Sequence, residues 1–506
     1  MCGRRLIVTQ SPAEIRRILV VGGGIAGWSA ATALARTVRG RASIGVVETD
    51  EDLGEPLAIA CRPDAAEFHA MLGLDEASIL RGAQGAYSLG ERMIGFGGEG
   101  AAYFRPFADL GAPLDGASFH QLLLRRRRQG RPEVADAYSL NAVAAELGRF
   151  AKPGPNERSV LSTLRYGFNL DGRRYAAGLR AFAESLGVTP LRGALAKAEA
   201  TATGIAAVVL EGGERLEADL FLDCTGPASR LLGEALAVPV ESWAADLPFD
   251  SQAETLVPEA ASSRAFNVSE AAAWGWRRDT PLQGAVARRI VYASAHLDDA
   301  QVLQALPASG AVRRSKLAFG RRRLAWARNC VAIGPSAGSA GPLDLGLTLT
   351  HKAIRRLLEL FPTLGGYEAA RAEFNRRADE EMARVRDAAL LPLVLNGRGG
   401  EPAWAAARET PQPETLAYRL SLWNSRGGVI SFDEEPVPES DWIAVLLGQG
   451  PAPRRGDVLA ESAMDDAALA DRLGAMRRAI RQGAEQMPTH DVFLTRSGAA
   501  AGGAGR

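Results

Sequence analysis

Val20-Val21-Gly22-Gly23-Gly24-Ile25-Ala26-Gly27-Trp28 closes the apolar run that starts at Ile18, and its reading decides the fold. An apolar run that passes through glycines into a helix-forming stretch is a strand turning into a helix around a dinucleotide, FAD or NAD. Gly22 allows the tight turn, Gly24 lets the backbone approach a pyrophosphate, and Gly27 lets the helix pack closely on the sheet. The first helical residues, Ile25 and Ala26, present N–H groups without intrahelical partners to the negative charge. A second apolar run, Ala42 to Val47, ends at Glu48 about 20 residues beyond the last glycine, where a carboxylate accepts hydrogen bonds from an unphosphorylated ribose. Glycines in this pattern alone are a weak signal; strand, glycines, helix and acid in sequence give it weight.

Working outward, 506 residues suffice for a large core and several lobes. Lysine plus arginine equals aspartate plus glutamate, 59 each, so no bulk charge points to nucleic acid or an anionic membrane surface. The Arg125-Arg126-Arg127-Arg128 run reads as a solvated helix end. Positive charge is nearly all arginine; the lysines are Lys152, Lys197, Lys316 and Lys352. Cys2, Cys61, Cys224 and Cys330 are scattered without a C-x-x-C pair, which argues against a zinc site or disulfide framework and fits a reducing cytoplasm. Met1 to Ile15 lacks the apolar core of a signal peptide, and no run reaches the roughly 18 apolar residues of a membrane span.

Further along, Ala218 to Gly226 reads as a buried strand entering a small turn, and Cys330 to Gly334 repeats the pattern before a helix over Leu347 to Leu360. Both strands are expected to return to the nucleotide sheet, and each turn offers backbone donors to a flavin pyrophosphate or ring edge. Segments around Ala285 to Ala295 and Val312 to Phe319 read as strands of a substrate-side sheet. From about Tyr367 the pattern becomes amphipathic helix, over Glu380 to Leu395 and Asp465 to Ile480. The expected class is α/β. Residues 1–365 form a discontinuous FAD-binding Rossmann-type domain, with the substrate-side sheet inserted at about 85–215 and 240–320. A helical C-terminal region spans 366–495, and 496–506 is a disordered tail.

These pieces resemble the flavin-dependent tryptophan halogenase family almost end to end. The resemblance rests on the turn ending Ala26-Gly27-Trp28, Leu53-Gly54-Glu55, Leu72-Gly73-Leu74, Trp274-Gly275-Trp276, Trp326 to Gly334, Gly341-Pro342-Leu343-Asp344, Trp442 to Gly450 and Met487 to His490, in family order. It implies a glutathione-reductase/hydroxylase-like fold, FADH2 delivered by a separate flavin reductase, O2, and halide oxidised to hypohalous acid. In the family that acid travels down a tunnel to a lysine beside an aromatic substrate, and a glutamate polarises the lysine. The family's W-x-W-x-I-P segment helps wall flavin from substrate. A homodimer is left open.

Departures from the family cluster at this chemistry. Ser88, in Gln84 to Gly90, corresponds to the catalytic lysine, and a hydroxyl carries no charge and forms no stable haloamine. Asp344 keeps a carboxylate in the place of the lysine's partner, one methylene shorter. Leu345 and Gly346 replace two hydroxyl residues, leaving backbone N–H groups at Gly346 and Leu347. Trp274 and Trp276 are read as one face of a strand, followed by Arg277-Arg278-Asp279-Thr280-Pro281 with two extra residues where an apolar divider is expected. Arg105 stands before Pro106-Phe107 where the family often has histidine, and suits a carboxylate or phosphate, or a surface ion pair. The residues named for the cofactor are Gly22, Gly24, Ile25, Ala26, Gly27, Glu48, Gly226, Gly334, Gly346 and Leu347; those for catalysis are Ser88 and Asp344. Three readings stay open: a flavin enzyme with altered, monooxygenase-like chemistry made possible by a lost divider; a halogenase of an activated aromatic substrate; and a non-catalytic flavin-binding protein.

Overall fold

Arg17–Val21 pairs in parallel with Ser43–Glu48 on one side and Leu220–Asp223 on the other, so the strand that carries the glycine turn lies inside its sheet. The computed structural model describes residues 14–38, 40–49, 55–259, 264–306, 310–363 and 367–501. The strand order of this six-stranded sheet is 326–327, 330–332, 220–223, 17–21, 43–48, 189–192. Both returning strands are therefore in the sheet, Cys330–Ala332 pairing with Leu220–Asp223. One correction follows. Thr189–Arg192, expected in the inserted sheet, forms the edge beside Ser43–Glu48, and the preceding helix Gly172–Ser185 stacks on the helix Ile25–Val38.

Asp223 shapes the turn that follows its strand. Its buried carboxylate accepts hydrogen bonds from the Thr225 N–H and hydroxyl, the Ser229 hydroxyl, and the Leu231 and Leu232 N–H groups. A side chain so placed satisfies backbone donors that would otherwise be orphaned in the interior.

A seven-stranded sheet forms the second layer, in the order 313–316, 251–258, 285–292, 275–282, 267–272, 90–94, 102–106. Gly275–Leu282 pairs residue for residue with Ala285–Tyr292, without a bulge. Two expectations fail there. Trp274 lies in the turn before the strand and packs with Ile290, Tyr292 and Leu297, whereas Trp276 packs with Phe96, Phe249 and Trp404. Their rings do not share a face. Nor does the strand carry a bulge that would take up two extra residues before Pro281. Counted back from that proline, W-x-W-x-I-P falls on Trp276 to Pro281, which puts Arg278 in the place of the second tryptophan.

The C-terminal region is helical as expected, with Glu368–Val394 and Asp466–Glu485 as its long members. Arg125 and Arg126, read as solvated, are 5% and 7% exposed. Arg125 donates to the carbonyls of Ala460 and Met464 and Arg126 pairs with Glu133, so the arginine run clamps later helices onto Phe119–Arg128. The chain end is also partly tied down: Gln283 donates to the Ala499 carbonyl and accepts from the Ala501 N–H, and the rest of the expected tail, 502–506, lies outside the described residues.

Helices Asp64–Leu72 and Gly346–Glu359 meet through two histidines. His351 stacks on Phe68 at 3.7 Å, and His69 shares a 2.7 Å hydrogen bond with Tyr175. Burial lowers both: His69 to about 4 and His351 well below the ordinary value. Between pH 6.5 and 4 the unfolded chain takes up a proton that folded His69 refuses, so stability falls as pH falls through this window. From pH 7 to 5, His69 alone is expected to remove about 2 kcal/mol. Urea denaturation at the two pH values measures it, His69→Gln should flatten the dependence, and equal stability at both would refute the assignment.

Candidate active site

Three cavities run in series from the glycine turn to the helical region. The first, about 260 Å³, begins at Ile25 and Ala26 and reaches Arg289, Asp344, Gly346 and Leu347. The last, about 1060 Å³, lies among Arg62, Phe107, Tyr138, Val160, Lys352 and Ile480. Between them sits a constriction of about 40 Å³. It shares Ala60, Leu343 and Asp344 with the first cavity and Arg62, Phe107 and Val437 with the last.

At the first cavity the backbone leaves no room for side chains. Gly22 has φ +113°, and a Cβ there would lie 2.1 Å from the Cys224 carbonyl oxygen; one on Gly27 would lie 1.9 Å from the Gly22 oxygen. At Gly334, with φ +68°, a Cβ would lie 2.9 Å from the Ala26 Cβ, and the Gly226 carbonyl accepts a hydrogen bond from Ser336. Pro227 and Pro335, the residues after these two glycines, line the cavity. The Ile25 N–H donates to the Glu55 carboxylate at 2.9 Å, which shows that this helix start takes an oxyanion. Gly24 sits within the turn, its carbonyl accepting from the Trp28 N–H. Glu48 lies against Gly23 at the strand end, as a ribose ligand should, and also pairs with Arg180 at 2.8 Å and Arg192 at 3.6 Å. A carboxylate has acceptor sites for both uses. The cradle fits the pyrophosphate and ring of FAD.

The constriction is built on one face of the seven-stranded sheet. Arg289, Arg278, Ser269, Glu91 and Arg105 follow one another across five neighbouring strands. Arg278 and Arg289 stand directly opposite in register, a like-charge pairing that destabilises a sheet unless an anion intervenes. Asp344 is that anion, paired with both guanidiniums. Burial tends to raise its carboxyl, but the two arginines outweigh this and hold it below the usual range. Glu91 accepts from the Ser269 hydroxyl at 2.5 Å and pairs with Arg278 and Arg105, both at 3.5 Å. Asp441 joins Arg105 at 3.2 Å to Arg62 at 3.0 Å. An unbroken ion-pair chain thus links the two large cavities.

Of the catalytic expectations, Asp344 is at the constriction and Ser88 is not. Ser88 is fully buried, its hydroxyl donates to the Gly90 carbonyl, and it lines none of the three cavities. The surface-ion-pair reading of Arg105 also fails, since burial and two carboxylates fix it inside. No lysine lines the constriction. Lys316 borders the first cavity but pairs with Asp250, and Lys352 borders the last but pairs with Glu381 at 2.9 Å. Sequence reading missed Arg62, Glu91, Arg289 and Asp441, which carry no motif of their own.

A dinucleotide cradle joined by a polar constriction to a separate ligand chamber defines a class: α/β enzymes that keep cofactor and substrate apart. The chain belongs to the tryptophan halogenase family, whose model matches residues 17–465. Among solved structures it is similar to a flavin-dependent halogenase from Brevundimonas sp., 34% identical with a TM-score of 0.91, covering 96% of this chain and 99% of that one. It is also similar to a flavin-dependent halogenase from Xanthomonas campestris, 32% identical at a TM-score of 0.91, covering 96% and 98%. Among characterised relatives, the 7-chloro-L-tryptophan 6-halogenase of Kutzneria sp. is 27% identical over 95% of this chain and 99% of that one.

Asp344→Asn leaves Arg278 and Arg289 facing each other without their anion. The expected cost is about 3 kcal/mol, read as a lower urea midpoint at pH 7.5. A change below about 0.5 kcal/mol, the ordinary range of surface substitutions, would show that the pairing does not hold the two strands.

Proposed function

We propose that the chain is a flavin-dependent enzyme acting on an electron-rich aromatic substrate in the large cavity, and that it transfers halogen without a lysine carrier. One observation carries this: a constriction separates the two chambers, and arginines, not an amine, line it. The expected loss of the divider is not met, because ion pairs on Arg278 and Arg105 stand where an apolar wall was anticipated. Direct oxygen transfer from flavin to substrate is therefore disfavoured, and what crosses must be small.

Reduced FAD from a separate reductase, when bound in the first cavity, would supply two electrons and two protons, which with O2, halide and one further proton balance to oxidised FAD, hypohalous acid and water. The glycine turn would hold the pyrophosphate, with the Ile25 N–H joining it on displacement of the Glu55 carboxylate, and Glu48 would hold the ribose. Gly346 and Leu347 border the flavin end of the cavity. Guanidiniums donate hydrogen bonds but stay protonated, so Arg278 and Arg105 orient a passing oxidant without bonding to it. Selectivity then rests on the substrate's own reactivity, which favours phenols, pyrroles and indoles. The large cavity, with Phe107, Tyr138, Leu140 and Ile480 on its walls, suits such rings. Three free buried cysteines, Cys61, Cys224 and Cys330, accord with a reducing cytoplasmic setting; no described helix is long and apolar enough to cross a membrane.

With FAD, a reductase, NADH, O2 and bromide, mass spectrometry of an aromatic panel should show the bromine isotope pair on electron-rich rings. The isomer ratio should match that produced by hypobromous acid alone. Ser88→Lys should leave yield and ratio within about twofold, since the position is fully buried and lines none of the three cavities. Bromination of tryptophan at one electronically disfavoured carbon would contradict the proposal, as would oxygenated products formed without halide.

A further inference from the structure

We infer that the constriction is a binding site for one small monovalent anion, of halide size, held by Arg105 and Arg278. The inference stands on charge and geometry and does not depend on the reaction the enzyme performs. The 40 Å³ space itself is lined by three guanidiniums, Arg62, Arg105 and Arg278, against two carboxylates, Glu91 and Asp344. Its wall therefore carries one positive charge in excess, which favours a monovalent anion inside it. Arg278 is 9% exposed, yet its Nε–H meets no acceptor, and the buried Arg105 Nε–H is likewise unmatched among the described residues. Both side chains line the same 40 Å³ space. A cavity this small holds an atomic anion or a two-atom oxyanion; Leu343, Leu345 and Val437 are part of its apolar wall, and Glu91, Asn267 and Asp344 are its polar groups besides the arginines. Gly346 and Leu347 border the first cavity and do not line the constriction, so the site is distinct from a halide position at that helix start beside the cofactor.

The sign of the charge balance makes the test sharp. Glu91→Gln keeps an acceptor for the Ser269 hydroxyl but raises the excess to two charges; Arg278→Gln removes it. The probe is sodium bromide, compared with sodium methanesulfonate, a bulkier monovalent anion, at equal ionic strength, on the full chain. Bromide should raise the melting temperature of the wild type selectively, and crystals in bromide should show anomalous density within hydrogen-bonding distance of Arg105 and Arg278. Glu91→Gln should tighten bromide binding about tenfold, the effect of one unit charge across a partly screened interior, and Arg278→Gln should abolish the selective shift. Equal shifts with both salts, density only elsewhere, or an affinity unmoved by Glu91→Gln would each overturn the site. If Arg278→Gln does not fold, the Glu91→Gln affinity decides alone.

Discussion

Asp344, set between two guanidiniums, is the interaction that joins the two halves of this protein. Arg278 and Arg289 occupy one register position on adjacent strands of the seven-stranded sheet, and without an anion they would repel. The anion comes from the segment leading into helix Gly346–Glu359, which packs on the nucleotide-binding side through His351 and Phe68. Meeting that electrostatic demand fixes where the sheet stands relative to the cofactor cradle. It also places the polar row from Arg289 to Arg105 across the only passage that the three cavities define among the described residues.

Partition of the interior follows from this. A cofactor cradle closes on backbone at Gly22 and Gly27, where no Cβ fits. A chamber about four times larger lies beyond the constriction. Between them a guanidinium can orient and neutralise but cannot accept a halogen as a deprotonated amine can. A wall built from ion pairs keeps the separation of an apolar divider while changing its chemistry from inert to anion-attracting.

Much of this was legible in the chain itself. The run from Val20 to Trp28 fixed the nucleotide-binding sheet because each glycine answers a steric demand that no other residue meets, and Asp344 was found because it sits in a contiguous block. The tryptophan motif misled for a physical reason. Trp274-Gly275-Trp276 reads as alternation, but Gly275 starts the strand and Trp274 belongs to the turn before it. Only the register, counted from Pro281, reveals Arg278 as the substituted residue. Arg62, Glu91, Arg289 and Asp441 are far apart in sequence, and sheet pairing and the packing of helix Glu439–Gln449 bring them together. Charged residues without local pattern look like surface until such contacts are known, and the buried Arg125 and Arg126 make the same point.

The central claim is that no amine of this chain carries halogen from the cofactor chamber to the substrate chamber. Its most direct test is a turnover with reduced FAD, O2 and bromide in the absence of aromatic substrate, followed by rapid desalting and titration of the protein for oxidising equivalents with a thiol. The account predicts none retained on the chain. Close to one equivalent per chain, lost on Lys352→Gln or Lys316→Gln, would contradict it.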